Sequence, residues 1–205
     1  MSFDLYPLFP TVVAKKSIAV DFTKDEVDNL YSTDIFLQNL GNGLSFNEFL
    51  LNNPKFKRLK ELCLNHAQEY FTSIMKYDYK LHMTNSWLNV TQSGQEHMLH
   101  NHTNSIVSGV LYLKTSDSTP SISFNNLTPT FLLNLKPTEH TIYNSMEWEL
   151  PVEDNCIVLF PSQCFHYVKK NISNNERISI AFNTFVKGNL SSTTPGGDLN
   201  LGEDE

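Results

Sequence analysis

The residues with the most chemical potential in this chain are His100-Asn101-His102, followed well downstream by Phe160-Pro161-Ser162, His166 and then Arg177-Ile178-Ser179. In a strand, alternate side chains point to the same face. His100 and His102 can therefore offer two imidazoles to one point, and a distant strand can bring His166 to it. Three ligands on one side of a metal leave coordination positions open for small molecules, and an all-histidine set suits zinc as well as iron(II). Arg177 opens a run reading Arg-Ile-Ser-Ile-Ala-Phe. A guanidinium among apolar side chains requires a partner, which is either an internal carboxylate or a ligand's carboxylate that its planar fork can grip. Ser179 shares its face and adds a hydroxyl.

These side chains need rigid elements to hold them. From residue 80 onward, short apolar segments recur between Asn, Ser, Pro and Asp clusters: 84–91, 97–102, 106–114, 120–124, 130–135, 139–144, 156–160, 164–169 and 177–186. That spacing predicts a sandwich or barrel. Upstream, Thr23-Lys-Asp-Glu26 reads as a capping box opening a short helix. Asn53-Pro54 then starts a second helix running to about Lys76, with Phe56, Leu59, Leu62, Cys63, Tyr70, Phe71 and Ile74 at helical spacing. The expected architecture is mainly β with flanking helices, a double-stranded β-helix (jelly roll). Residues 1–187 form one domain, in which helices over about 23–76 brace a barrel over about 80–187. The segment 188–205 is expected to be a flexible acidic tail.

Composition narrows the function classes. A net charge of −7 and a pI near 5.5 exclude a protein whose main task is coating nucleic acid. The apolar runs are all shorter than a membrane span and no charged-then-apolar leader opens the chain, so a cytoplasmic protein is expected. Cys63, Cys156 and Cys164 are odd in number and lie in apolar runs, which predicts buried thiols rather than disulfides. His66, His82 and His140 are expected to be structural or exposed, and so is His97, which strand alternation places on the face opposite His100. Glu96 is the alternative carboxylate ligand. Phe160-Pro161-Ser162 reads as the turn that aims the His166 strand inward.

The string Trp87-Leu-Asn89, Gly94, His100-Asn-His102, Ser108-Gly109-Val-Leu-Tyr112, Phe160-Pro161-Ser162, His166, Arg177-Ile-Ser179-Ile-Ala-Phe182-Asn183 resembles the iron(II)- and 2-oxoglutarate-dependent oxygenases. It is similar in particular to a narrower group of such enzymes from bacteria and phages, and Leu8-Phe9-Pro10-Thr11 resembles that group's amino-terminal signature. The resemblance implies a dioxygenase that hydroxylates its substrate, with iron(II) on His100, His102 and His166. It places 2-oxoglutarate against Arg177, Ser179, Tyr112 and Asn89, with O2 as the second cosubstrate and succinate and CO2 as products. This chain departs from the superfamily at His102, where a carboxylate is usual, and from the narrower group at Thr103, where proline is. The rival is a cupin-like jelly roll that binds zinc or another divalent metal without oxygenase activity, and a third possibility is a structural protein with a vestigial site. The substrate class is left open among a protein side chain, a small metabolite and a nucleobase, as is the oligomeric state.

Overall fold

In the computed structural model the described residues are 3–18, 21–37, 41–116, 118–128, 133, 135–191 and 196–202. The first helix, α1 (Lys24–Tyr31), begins where the capping box puts it. Thr23 Oγ1 accepts from the Glu26 amide at 3.2 Å, and the Glu26 carboxylate accepts from the Thr23 amide at 2.9 Å. Glu26 is buried and also takes the Arg58 guanidinium from the second helix, with Nε at 2.9 Å. One carboxylate thus caps a helix and pins it to its neighbour.

Asn53 caps the next segment through Lys55 N at 3.0 Å, and a single tight turn, Pro54–Phe56, leads into α2 (Lys57–Glu69). Leu59, Cys63 and Ala67 face the core at four-residue spacing. The helix then widens into a π-turn over Tyr70–Ile74, closed by Met75 N to Tyr70 O at 3.0 Å. Widening lets Tyr70 and Phe71, which are sequence neighbours, both be buried, while Ile74, expected in the stripe, is 50% exposed.

Two antiparallel sheets make up the body. The larger contains seven strands: β1 (Ala14–Ser17), β2 (Ile35–Leu37), β3 (Gly43–Ser45), β4 (Leu81–Thr91), β6 (Val107–Lys114), β9 (Cys156–Pro161) and β11 (Arg177–Val186), in the order β1-β9-β6-β11-β4-β3-β2. The smaller contains four: β5 (His97–His100), β7 (Ile122–Asn125), β8 (Glu147–Leu150) and β10 (Phe165–Val168), in the order β5-β10-β7-β8. This is the expected double-stranded β-helix. A small hairpin pairs Asn189–Leu190 with Leu199–Asn200.

The larger sheet has two different faces. Leu88, Val90, Leu111, Ile178, Ile180 and Phe182 pack against the helices. Val110, Tyr112, Val158, Phe160 and Ala181 face the smaller sheet. Gly109 lies on the helix side, where a Cβ would sit 2.2 Å from the Phe182 ring, so a glycine is required. Most of the expected strands are found, with three differences. Residues 139–144 form a turn instead, because Thr141 and Asn144 satisfy their own backbone: Thr141 N donates to Asn144 Oδ1 at 2.8 Å, and Tyr143 N to Thr141 Oγ1 at 3.2 Å. The strand Glu147–Leu150 follows it, a run too polar to stand out as a strand. The segment expected at 130–135 falls largely outside the described residues. The cysteines are free thiols, Cys63 and Cys156 buried and Cys164 half-buried.

Glu26→Gln is expected to destabilise the protein by about 1–3 kcal/mol, the range for a lost cap and a partly buried ion pair. Burial pulls the Glu26 pKa up, but Arg58 and the Thr23 hydrogen bonds outweigh it and hold the carboxyl below its ordinary value. The contribution is therefore full above the unfolded carboxyl's pKa and lost as pH falls through the folded one. Thermal unfolding of parent and variant at neutral pH and near pH 3 should show the gap between them closing in acid.

Candidate metal and anion site

The space between the sheets holds the polar side chains that the alternation of β4, β6 and β11 turns inward. On β11 these are Arg177, Ser179 and Asn183; on β4, Trp87, Asn89 and Thr91; on β6, Ser108 and Tyr112. Register aligns them: Ser179 lies between Asn89 and Tyr112, Arg177 opposite Thr91, and Asn183 opposite Ser108. A bulge at Leu113 is what puts Tyr112 in the Ser179 row, since pairing steps from Lys114 to Tyr112 as β11 advances one residue.

His166 on β10 pairs with His100 on β5, and the loop after β5 brings in His102. The three offer ligand atoms that all lie within 4.8 Å of one another, and among the described residues no carboxylate or thiol joins the group. Glu96 is exposed, and its carbonyl serves the Asn42 amide at 2.9 Å. His102 reaches the cluster by a different route from that expected. β5 ends at His100, so His102 is not placed by strand alternation but by its own loop, whose amide donates to Ser162 O at 2.9 Å. Phe160 and Pro161 end β9 rather than forming the expected turn, which begins at Ser162; that turn anchors the His102 loop as well as leading into the His166 strand.

Each of the three rings has its Nδ1 committed. His100 Nδ1 lies 2.7 Å from Met98 O, His166 Nδ1 2.9 Å from Cys164 O, and His102 Nδ1 2.6 Å from Asn183 Oδ1 and 2.7 Å from Ser108 Oγ. Backbone and amide carbonyl oxygens only accept, so Nδ1 carries the hydrogen in all three and the Nε2 lone pairs are left for a metal. Burial, followed by the neighbouring His100, pushes His166 down to about 3 and His102 down to about 4, and burial lowers His100 as well. All three are neutral at neutral pH, the state a metal requires.

Beyond the histidines, Arg177 is 3% exposed. No acidic side chain among the described residues pairs with it. Its guanidinium carbon lies 4.9 Å from the centre of the Tyr112 ring, Nη1 reaches Ser179 Oγ at a long 3.4 Å, and Nε has no partner. Tyr112 Oη and Thr91 Oγ1 are likewise buried without hydrogen bonds. Burial pushes the Tyr112 hydroxyl up to about 12, so it stays a donor. Asn89 is buried and accepts from Asn42 Nδ2 at 3.1 Å. A buried cation ringed by unsatisfied donors is chemically suited to hold an anion.

Residue types and spacing singled out these histidines, Arg177 and Ser179, and the family resemblance added Tyr112 and Asn89. They did not give roles to Asn183, Ser108, Ser162 or Asn42. Ser108 Oγ also donates to Asn183 Oδ1 at 2.7 Å, and a chain continues through Ser162 to Ser105 at 2.8 and 2.7 Å. The even spacing 177, 179, 181, 183 on one strand was the available signal for Asn183. Trp87 is half-buried and meets the His102 ring edge-on at 5.5 Å. His97 is not on the opposite face. The pairing passes from His166↔His100 to Val168↔His97, two steps against three, and this bulge turns His97 onto the side of His100. Their rings stack at 4.4 Å and 24°.

Residues 85–183, which contain every member of both clusters except Asn42, match the family model described as "Putative 2OG-Fe(II) oxygenase". No curated protein matches the chain. Among solved structures it is similar to the non-heme alpha ketoglutarate dependent carbocyclase SnoK from nogalamycin biosynthesis, with a TM-score of 0.59 at 10% identity over 85% of this chain and 79% of that one. HygX from Streptomyces hygroscopicus, solved with nickel, 2-oxoglutarate and hygromycin B, gives 0.56 at 12% over 85% and 82%. A Pseudomonas putida prolyl-4-hydroxylase gives 0.56 at 12% over 87% and 94%. At such identities the likeness is one of fold. The family match agrees with the resemblance read from the motifs and makes iron(II) and 2-oxoglutarate the cofactors to test against the site. No helix among the described residues is long and apolar enough to cross a membrane.

Asn183→Ala should weaken zinc or iron(II) binding by about 10–100-fold, the usual effect of removing the group that orients a ligand histidine. Anaerobic metal titration, with circular dichroism to confirm the fold, checks this, and unchanged affinity would return Asn183 to simple packing.

Proposed function

We propose that this chain is an iron(II)- and 2-oxoglutarate-dependent dioxygenase that hydroxylates its substrate, with succinate and CO2 as the other products. His100, His102 and His166 would hold the iron through Nε2. Arg177 would fork onto the distal carboxylate of 2-oxoglutarate, with Tyr112 and Ser179 adding hydroxyl donors and Asn89 holding the oxo-acid end or the substrate. Bound metal and oxo acid together supply the oxidising chemistry. What the chain contributes is orientation: three rings fixed through Nδ1, a cation that recognises the cosubstrate, and apolar walls that keep water out.

The observation that carries this proposal is Arg177, buried with no acidic partner among the described residues. A cupin-like metal site binding a different ligand has no use for an uncompensated guanidinium there, and a vestigial site would have no reason to keep one. The choice of hydroxylation rests on the superfamily's commonest outcome. The similar folds include a carbocyclase as well as a hydroxylase, and fold does not fix the reaction. A protein side chain, a small metabolite or a nucleobase would each be compatible as substrate, in a soluble cytoplasmic setting.

Anaerobic addition of iron(II) and 2-oxoglutarate should give the weak visible charge-transfer band of a chelated oxo acid. Arg177→Ala should keep the iron and weaken 2-oxoglutarate by about 2–5 kcal/mol, and Arg177→Lys should rescue poorly because an ammonium lacks the paired fork. Equal oxo-acid affinity in all three proteins would sink the assignment of Arg177. His102→Ala should lose most iron, whereas His102→Asp should bind it with less competition from zinc, carboxylate being the harder ligand. Iron in His102→Ala equal to that in the parent would remove His102 from the site.

A further inference from the structure

His97 is a fourth histidine at the site that the metal does not use. It lies outside the group whose ligand atoms converge, yet its ring stacks on that of His100 at 4.4 Å. Reaching that position requires the β5 bulge, which pushes Met98 and Leu99 outward to 71% and 46% exposure. Bulges beside sites are commonly devices for re-aiming one side chain, and the side chain re-aimed here is His97.

Packing alone does not account for an imidazole at this position. Each metal-facing histidine has an aromatic neighbour: Phe160 against His166 at 4.8 Å, Trp87 against His102 at 5.5 Å and His97 against His100. At the first two the neighbour is a carbon-rich ring. At the third it is a ring with two polar nitrogens that are not sealed in the core and stay accessible to a ligand or to solvent. Neither His97 nitrogen has a hydrogen-bond partner among the described residues, whereas His100, His102 and His166 each have theirs. Burial, then the neighbouring His100, Arg177 and His102, push the His97 ring down to about 3.

We infer that His97 is a binding residue for the cosubstrate, donating a ring N–H to a carboxylate oxygen of the oxo acid while its face steadies His100. The inference rests on the function proposed above. It predicts that the two jobs of the ring separate by substitution. His97→Phe keeps a flat ring against His100 and removes the N–H. His97→Asn removes the ring and keeps a short N–H donor.

The test is anaerobic titration of 2-oxoglutarate into the iron(II)-loaded parent and both variants, followed by calorimetry and by the charge-transfer band, with iron stoichiometry measured on each. His97→Phe should retain full iron and bind 2-oxoglutarate about tenfold to a hundredfold more weakly, as expected for loss of a hydrogen bond to a charged group. His97→Asn should bind it more tightly than His97→Phe does. Parent-like affinity in His97→Phe would overturn the inference and leave His97 a stacking plate only. If that variant does not fold, His97→Ala replaces it, and equal affinity in His97→Ala and His97→Asn overturns the inference in the same way. A parent that binds iron but no 2-oxoglutarate would overturn the proposed function first, and this inference with it.

Discussion

Burying Arg177 with no acidic partner among the described residues costs free energy that the surrounding structure has to supply, and the strand that carries it is arranged to do so. β11 is paired along its length with β4 on one side and β6 on the other. Its alternate residues Ile178, Ile180 and Phe182 are sealed against the helices. Those contacts fix the backbone, so the inward row Arg177, Ser179, Ala181, Asn183 has no freedom to turn its charge to water. The result is a cation held in place before any ligand arrives, which lowers the ordering cost of binding one.

The same constraint links the two halves of the site. Arg177 and Asn183 stand at opposite ends of one inward-facing row: the first is left unsatisfied, the second accepts from His102. The smaller sheet supplies His100 and His166, which are positioned relative to Arg177, Ser179 and Tyr112 by the packing of one sheet on the other and by links such as the Asn42 amide on the Glu96 carbonyl. Phe160 sits at that junction, in contact with both Phe124 and His166. The polar network through Ser108, Ser162 and Ser105 ties the His102 loop to both β9 and β11. Such a network rigidifies when its members are satisfied.

Much of this was legible in the residues because alternation is a strong signal on long strands. β4, β6, β9 and β11 are long enough for apolar and polar faces to separate, and Thr23-Glu26 and Asn53-Pro54 carry their capping chemistry in two or three letters. What escaped is what alternation cannot express. A bulge shifts parity by one residue and leaves no mark in a single sequence, so His97 reads as outward facing when it is inward. His102 lies past the end of its strand, where the loop's hydrogen bond to Ser162 replaces periodicity. Ile142 and Tyr143 look like strand residues, yet neighbouring Thr141 and Asn144 can bond their own backbone, and that local preference prevails. Asn42 becomes part of the site only through the pairing of Gly43 with Val90, a contact between distant segments.

The histidine at position 102 changes the electrostatics of the whole cup. Held by three neutral imidazoles, a divalent ion would keep its full charge, where a carboxylate ligand would cancel one unit, and Arg177 adds another positive charge at the far end. No acidic side chain among the described residues enters the cluster to compensate. A dianionic oxo acid spanning the two ends would neutralise more charge here than in a site that already holds a carboxylate, and in a low-dielectric interior each unit matters more than in water. With His102 as a ligand, part of the site's charge balance would pass from the protein to the cosubstrate. It follows that metal and oxo acid should bind interdependently in this chain, each reducing the electrostatic cost the other leaves.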